Sequence, residues 1–199
     1  MKAALIDYGA GNLASVRKAL RRVGFEVECV AATSDLAGCA ALVLPGVGHF
    51  SATRPLQGAF RQAILDRLEH GMPLLGICLG LQWLFEGSEE APDVPGLGVL
   101  AGRCFRLRGD VKVPHVGWNT LEKTRESRLL QGIERAAVYF THTFAAPVTA
   151  ECAATTTHGL RFSSVVERGA VFGVQWHPEK SGEAGLATLR NFADVVSSC

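Results

Sequence analysis

The pattern of apolar and polar positions changes rhythm near residue 88 of this 199-residue chain. Before that point, short apolar runs alternate with amphipathic stretches. "KAALIDY" reads as a first strand. "LASVRKALRRVG" places Leu13, Val16, Leu20 and Val23 at helical spacing, with Gly24 as a C-cap. "FEVECV" alternates as a strand does, and "ALVLPG" is a short buried one. "PLQGAFRQAILDRLEHG" reads as a helix with Phe60, Ile64 and Leu68 on one face and Gly71 past its end. "PLLGI" is a fourth strand and "LGLQWLFEG" the helix after it. Strands alternating with helices imply right-handed crossovers and a parallel sheet. After residue 88, "GVLAGRCFRL", "AAVYFTHTF", "VTAECAATT", "GLRFSSVVERG" and "AVFGVQW" read as strands with short turns. "GLATLRNFADVVSS" is a closing helix, and "EGSEEAPDVPGLG" a surface loop. No repeat or linker divides the chain. The expectation is one α/β domain over residues 1–199, with a largely parallel central sheet, flanking helices and an antiparallel, β-rich second half.

Composition narrows the function. The 20 basic and 19 acidic residues give no electrostatic case for nucleic acid or an anionic membrane. No apolar run reaches the roughly 18 residues of a membrane span. The start, "MKAALIDYGAG", reads as a strand and not as a signal peptide, which points to the cytoplasm. The cysteines Cys29, Cys39, Cys78, Cys104, Cys152 and Cys199 lack zinc spacing, so no metal is expected. In a reducing compartment they are free thiols, most of them small core hydrophobes.

One cysteine has a special setting. In "MPLLGICLGLQWLF", Cys78 sits between Gly76 and Gly80 where a buried strand becomes a helix. A core cysteine in a tight turn is the bland reading. The sharper one is a nucleophile on a strand-turn-helix elbow, whose sharpness demands small flanking residues. There a helix N-terminus favours a thiolate and offers N–H groups to an oxyanion. A thiolate needs a proton acceptor, and the acceptor an orienter. "FGVQWHPEKS" supplies both. Pro178 favours an extended His177, and extended alternation would point His177 and Glu179 into the same space. Glu179 would hold the imidazole in its useful tautomer. His70, ending a helix, and His158, in a turn, read as solvated.

Two other glycine turns stand at strand ends. "PGVGHF" could form an anion nest. "DYGAGNLA" places Gly9, Gly11 and Ala14 in a G-x-G-x-x-A pattern with Glu28 near the acidic position, a rival dinucleotide-binding reading. That rival leaves the elbow and the His-Pro-Glu unexplained.

The elbow, "PGVG" and "QWHPEKS", in that order, resemble class I, triad-type glutamine amidotransferases, with a flavodoxin-like fold. "DYGAGNL", "PGVGHF", "GICLGLQWLFEGSEE", "VPHVGWN" and "YFTHTF" resemble, more narrowly, the glutaminase subunits of imidazole glycerol phosphate synthases, over about residues 1 to 195. The resemblance implies Cys78 as nucleophile, His177 as general base and acid, and Glu179 as its orienter. It implies an oxyanion strand at Gly46, Val47 and Gly48 that rearranges before use, joined by the amide of Leu79. It gives Gln82, His142, Thr143 and Phe144 to substrate glutamine, and Asn12, Asn119 and Lys180 to the partner face or the ammonia exit. No cofactor is implied. The implied partner is a TIM-barrel cyclase subunit in a heterodimer, which uses the ammonia for histidine biosynthesis. Amidotransferase subunits of anthranilate or aminodeoxychorismate synthesis, and a non-catalytic module on the same fold, are the alternatives. The family's usual Val-His-Ser-Tyr is here Thr141-His142-Thr143-Phe144, which removes one hydroxyl, and Trp176 replaces a common phenylalanine.

Overall fold

A computed structural model describes residues 1–198; Cys199 lies outside the described residues. The first half runs β1 (Lys2–Ile6), α1 (Leu13–Arg22), β2 (Glu26–Val30), β3 (Ala41–Leu44), α2 (Ala59–Glu69), β4 (Leu74–Ile77) and α3 (Leu79–Trp83). The second half adds β5 (Gly87–Ser88), β6 (Arg103–Arg106), β7 (His115–Thr120), β8 (Glu122–Lys123), β9 (Ala137–His142), β10 (Phe144–Ala145), β11 (Cys152–His158), β12 (Leu160–Arg168), β13 (Val171–Val174) and α4 (Gly182–Ser197).

The main sheet has eight strands in the order β2-β1-β3-β4-β13-β12-β11-β8. Pairings from β2 to β13 are parallel, and those from β13 to β8 antiparallel. The chain thus returns through β13 to complete the parallel half. β7 and β9 form a separate antiparallel ribbon in full register from His115–His142 to Thr120–Ala137. Core packs on both faces of the sheet, which is why β1 reads as an unbroken apolar run. Ala3 and Leu5 join the layer under α1 and α4, and Ala4 and Ile6 the layer on the other face.

Several expectations shift. The helix read from Pro55 begins at Ala59, because Gly58 adopts φ +64° and a 3-10 stretch, Phe50–Leu56, precedes it. The segment read as a surface loop is packed: Ala91, Val94 and Leu97 are buried in the core beside α3. Its charged residues made it look solvated, but its apolar ones anchor it. β7 went unread as a strand, since its outward side chains include Val116 and Trp118 and the alternation is masked. His158 ends β11 and its ring stacks on His115, so it is not a freely solvated turn residue. Cys39, Cys104 and Cys152 are buried thiols, while Cys29 is exposed. Among the described residues, no helix is long and apolar enough to cross a membrane.

Candidate active site

The carboxyl ends of β1, β3, β4 and β13 lie along one edge of the parallel half, where open α/β sheets bind ligands. Cys78 follows β4 directly. It is the one non-glycine at positive φ among the described residues, with φ 54° and ψ −106°. Such a conformation costs about 1–3 kcal/mol and persists only where the surroundings impose it. The flanking glycines let the chain close in around it. A Cβ on Gly76 would lie 2.7 Å from the carbonyl oxygen of Gly80, and one on Gly80 would overlap the carbonyl oxygen of Leu44. The buried sulfur receives an N–H from Gln175 Nε2 at 3.6 Å and faces the carbonyl of Thr141 at 3.9 Å.

His177 is extended ahead of Pro178, with φ −105° and ψ 99°. Glu179 reaches it by a route that strand alternation did not suggest. Pro178–Lys180 forms a 3-10 turn that curls the carboxylate back, and Nδ1 of His177 donates to Glu179 Oε1 at 2.9 Å. Both side chains are buried, at 1% and 2% exposure, so water does not compete for the bond. The backbone is pinned as well. The His177 N–H donates to the Tyr139 carbonyl at 2.9 Å, and its own carbonyl accepts from Ser181 Oγ at 2.7 Å.

With Nδ1 committed to Glu179, Nε2 is the nitrogen left for proton transfer. It makes no well-directed hydrogen bond, yet the ring stands near enough to Cys78 for the sulfur to act on it. Burial is the largest influence on His177 and lowers its pKa. Cys78 and Glu179 together outweigh burial and raise it to about 10.

The "PGVG" turn packs against the elbow. Gly11 approaches Gly46 so closely that a Cβ on Gly11 would lie 3.3 Å from the Gly46 backbone, and Tyr8 Oη donates to the Pro45 carbonyl at 2.7 Å. Gly11 of "DYGAGN" therefore serves contact between two loops, and Glu28 is held in an ion pair with Lys2. The Leu79 amide donates to the Gly46 carbonyl at 3.4 Å. In this arrangement the elbow's own N–H is occupied by the neighbouring turn.

A cavity of about 300 Å³ opens beside the sulfur. Of the residues expected at the site, Gly48, Cys78, Leu79, Gln82, His142, Thr143 and Phe144 line it, and Gly46, Val47, His177 and Glu179 do not. Two lining or supporting residues went unseen in the sequence. Glu90 lines the cavity and its Oε2 accepts the Phe50 N–H at 2.7 Å. Gln175 is fully buried, and its Oε1 accepts from Gln82 Nε2 at 3.2 Å. Glu90 lay in the supposed loop, and Gln175 carried no signal beyond preceding "WHPE". A larger open hollow of about 780 Å³ between Thr120 and Arg135 contains none of the residues above.

The three residues assigned to the partner face differ in setting. Asn12 caps α1, accepting the Ser15 N–H at 3.4 Å. Asn119 is half-buried and bonded within the chain. Lys180 is exposed, with its ammonium 5.6 Å from the Tyr139 ring centroid. On β7, Val116 and Trp118 are 57% and 59% exposed, and Trp118 meets the same Tyr139 ring edge-on at 6.1 Å. An exposed tryptophan next to exposed valine is unusual on a surface that faces only water.

Comparison with known proteins gives the family. The glutamine amidotransferase class-I family matches residues 4–195. The chain is 46% identical over 195 residues to imidazole glycerol phosphate synthase subunit HisH of Deinococcus radiodurans, covering 94% of this chain and 91% of that one. It is 41% identical to the chloroplastic imidazole glycerol phosphate synthase hisHF of Arabidopsis thaliana, covering 94% of this chain but 33% of that longer protein. Among solved structures, PurLQS from Thermotoga maritima superposes with a TM-score of 0.76 at 21% identity, over 98% of both chains.

Proposed function

The chain belongs to the class-I glutamine amidotransferase family, and we propose that Cys78, His177 and Glu179 are the triad with which it hydrolyses glutamine. Its activity is that of the glutaminase subunit of an imidazole glycerol phosphate synthase, given relatives about 45% identical over nearly its whole length. Residues 1–199 act as one amidotransferase domain. The observation that carries the catalytic assignment is a strained Cys78, at φ 54°, beside an imidazole whose far nitrogen is fixed by a buried carboxylate.

The Cys78 sulfur attacks the side-chain amide carbon of glutamine. His177, whose imidazolium is favoured by its neighbours, holds the proton that the thiol gives up. The tetrahedral oxyanion is held by backbone amides of Leu79, Gly48 and Val47. His177 delivers its proton to the departing nitrogen, and ammonia leaves with a glutamyl thioester behind. Water, deprotonated by His177, then releases glutamate and frees the sulfur. Gln82, His142, Thr143 and Phe144 frame the substrate. Glu90, the acidic side chain in the cavity lining, meets the substrate's ammonium group.

The Leu79 amide has to leave the Gly46 carbonyl before it can serve an oxyanion. Hydrolysis in the isolated chain is therefore slow, and a loaded partner favours the rearranged turn. The partner is a TIM-barrel cyclase subunit, docked over Asn12, Asn119, Lys180 and the exposed Trp118. Ammonia passes across that contact unprotonated. Glutamate release, measured with and without a cyclase subunit carrying its nucleotide, tests this. Wild type is expected to respond strongly to the loaded partner, and Cys78→Ala to show no turnover in any combination. A Cys78→Ala protein that still turns over glutamine would remove the triad assignment.

A further inference from the structure

A second set of side chains, outside the triad, connects β7 to the cavity through hydrogen bonds whose directions can be worked out atom by atom. His142 Nδ1 lies 3.0 Å from the Phe144 carbonyl, which can only accept, so Nδ1 carries the proton. Burial chiefly lowers the pKa of His142 to about 3, so the ring is neutral and Nε2 is a bare acceptor. His115 Nδ1 lies 2.9 Å from that Nε2 and donates to it. His115 is likewise neutral, its pKa lowered to about 4 chiefly by burial, which leaves its own Nε2 to accept. The donor is Asn119 Nδ2 at 3.2 Å. The other Asn119 N–H goes to the Thr157 carbonyl at 3.2 Å, and Oδ1 accepts the Thr120 N–H at 2.8 Å, so the amide cannot flip without losing bonds.

The wiring continues beyond Phe144. The same carbonyl accepts from Gln82 Nε2 at 2.6 Å. Gln82 also donates to Gln175, and Gln175 to the Cys78 sulfur. The Phe144 carbonyl is therefore the meeting point of two arms, one from the nucleophile and one from β7. The His115 ring cannot swing away. It stacks on Phe140 at 4.7 Å and on His158 at 4.0 Å, with interplanar angles of 23° and 18°. The direct nitrogen–nitrogen contact leaves no room for a metal ion between the two rings, and no group of metal-holding side chains occurs among the described residues.

Alternation makes β7 two-sided. Val116 and Trp118 point out, while His115 and Asn119 point in. We propose that His115 is a positioning residue: through His142 it fixes the Thr141–Phe144 wall of the glutamine cavity to β7, so that a partner seated on Trp118 acts on the cavity through this one strand. The partner clause rests on the functional reading above; the wiring does not. A shift of β7 moves Asn119 and His115 together, and the Phe144 carbonyl follows because His142 has a single donor and a single acceptor. His115 touches no reacting atom.

Two measurements test this. The first uses the chain alone and needs no activity: the imidazole nitrogen-15 shifts of His115 and His142 at pH 7. Both rings are expected as the neutral Nδ1–H tautomer, and His115→Phe is expected to free His142 to change its tautomer balance. An Nε2–H tautomer in either ring of the wild type overturns the proposal. The second is glutamine kinetics with the loaded partner. His115→Phe keeps a ring in the stack but loses the bond, and is expected to raise KM about tenfold with kcat changed less. His115→Asn, whose side-chain N–H can stand in for Nδ1, is expected to recover most of the loss. Equal impairment in both variants, or an unchanged KM in a folded His115→Phe protein, overturns it. A wild type without glutaminase activity sinks the functional reading instead, and the imidazole shifts still decide the wiring.

Discussion

The two halves of the molecule hold their histidines in opposite ways. At the end of the parallel half, His177 is buried yet lifted to about 10, because a sulfur and a carboxylate outweigh the loss of water. In the antiparallel ribbon, His115 and His142 are lowered to about 4 and 3, chiefly by burial and further by the neighbouring imidazoles. The first arrangement holds a proton on the ring beside the Cys78 sulfur. The second keeps rings neutral, so that each nitrogen has one fixed role. Burial decides the ribbon's pair, whereas at His177 the groups beside the ring overcome it. The contrast extends to how each half places its atoms. The parallel half uses glycines to bring backbone onto backbone at Gly11, Gly46, Gly76 and Gly80. The ribbon uses side-chain hydrogen bonds.

The sharpest way to break this comparison is Glu179→Gln. The amide keeps the shape but removes the charge and can present a donor to Nδ1, which disturbs the tautomer. Glutamine turnover is expected to fall by about 10³-fold or more, on the scale of losing a triad's orienting carboxylate. The same variant carries a pH signature. A folded pKa raised from 6.5 means that the proton on His177 favours the folded state. That stability is fully present below about pH 6.5 and is lost as pH rises towards about 10. Urea midpoints from pH 6 to 10 should therefore decline in wild type more steeply than in Glu179→Gln. The lowered pair acts in reverse: its contribution is present above pH 6.5 and is lost as pH falls towards 4 and 3. Parallel curves for wild type and variant on the alkaline side would mean that Glu179 does not hold the charge on His177.

Much of the parallel half was legible because its signals are local. Glycine pairs, short apolar runs and Pro178 each restrict the backbone at their own positions. Cys78 and His177 stood out for that reason. Glu179 was found with the wrong geometry, since a 3-10 turn and not an extended chain brings its oxygen to the ring. Gln175, Glu90 and His115 were missed as site residues because their partners lie 97, 40 and 27 positions away in sequence. No periodicity encodes such contacts. β7 was missed because its outer face is apolar, so the inside-polar, outside-apolar reading inverts the usual rule.

Gly80→Ala sharpens the backbone side of the comparison. The added methyl group meets the Leu44 carbonyl, a backbone atom in a central strand with nowhere to go. Destabilisation of about 2 kcal/mol is expected, in the range for forced overpacking, read as a lower urea midpoint with an unchanged slope. Turnover should fall as well, because the elbow that aims Cys78 rests on that approach. A variant of wild-type stability would show that the elbow has slack and that its glycines are incidental.

The smallest effect on the chain itself is expected from Trp118→Ala. The ring is more than half exposed and touches Tyr139 only edge-on, so removing it takes little from the core. Thermal stability should stay within about 0.5 kcal/mol, as for surface substitutions away from special features. Affinity for a cyclase partner should fall at least tenfold, since a central exposed tryptophan is the kind of residue that carries binding energy. Glutamine turnover at saturating partner should be nearly normal if Trp118 only docks. If turnover stays low even when the partner is saturating, then β7 does more than bind: docking at its outer face and order at its inner face are one event, and the ribbon half takes part in catalysis through the strand that joins them.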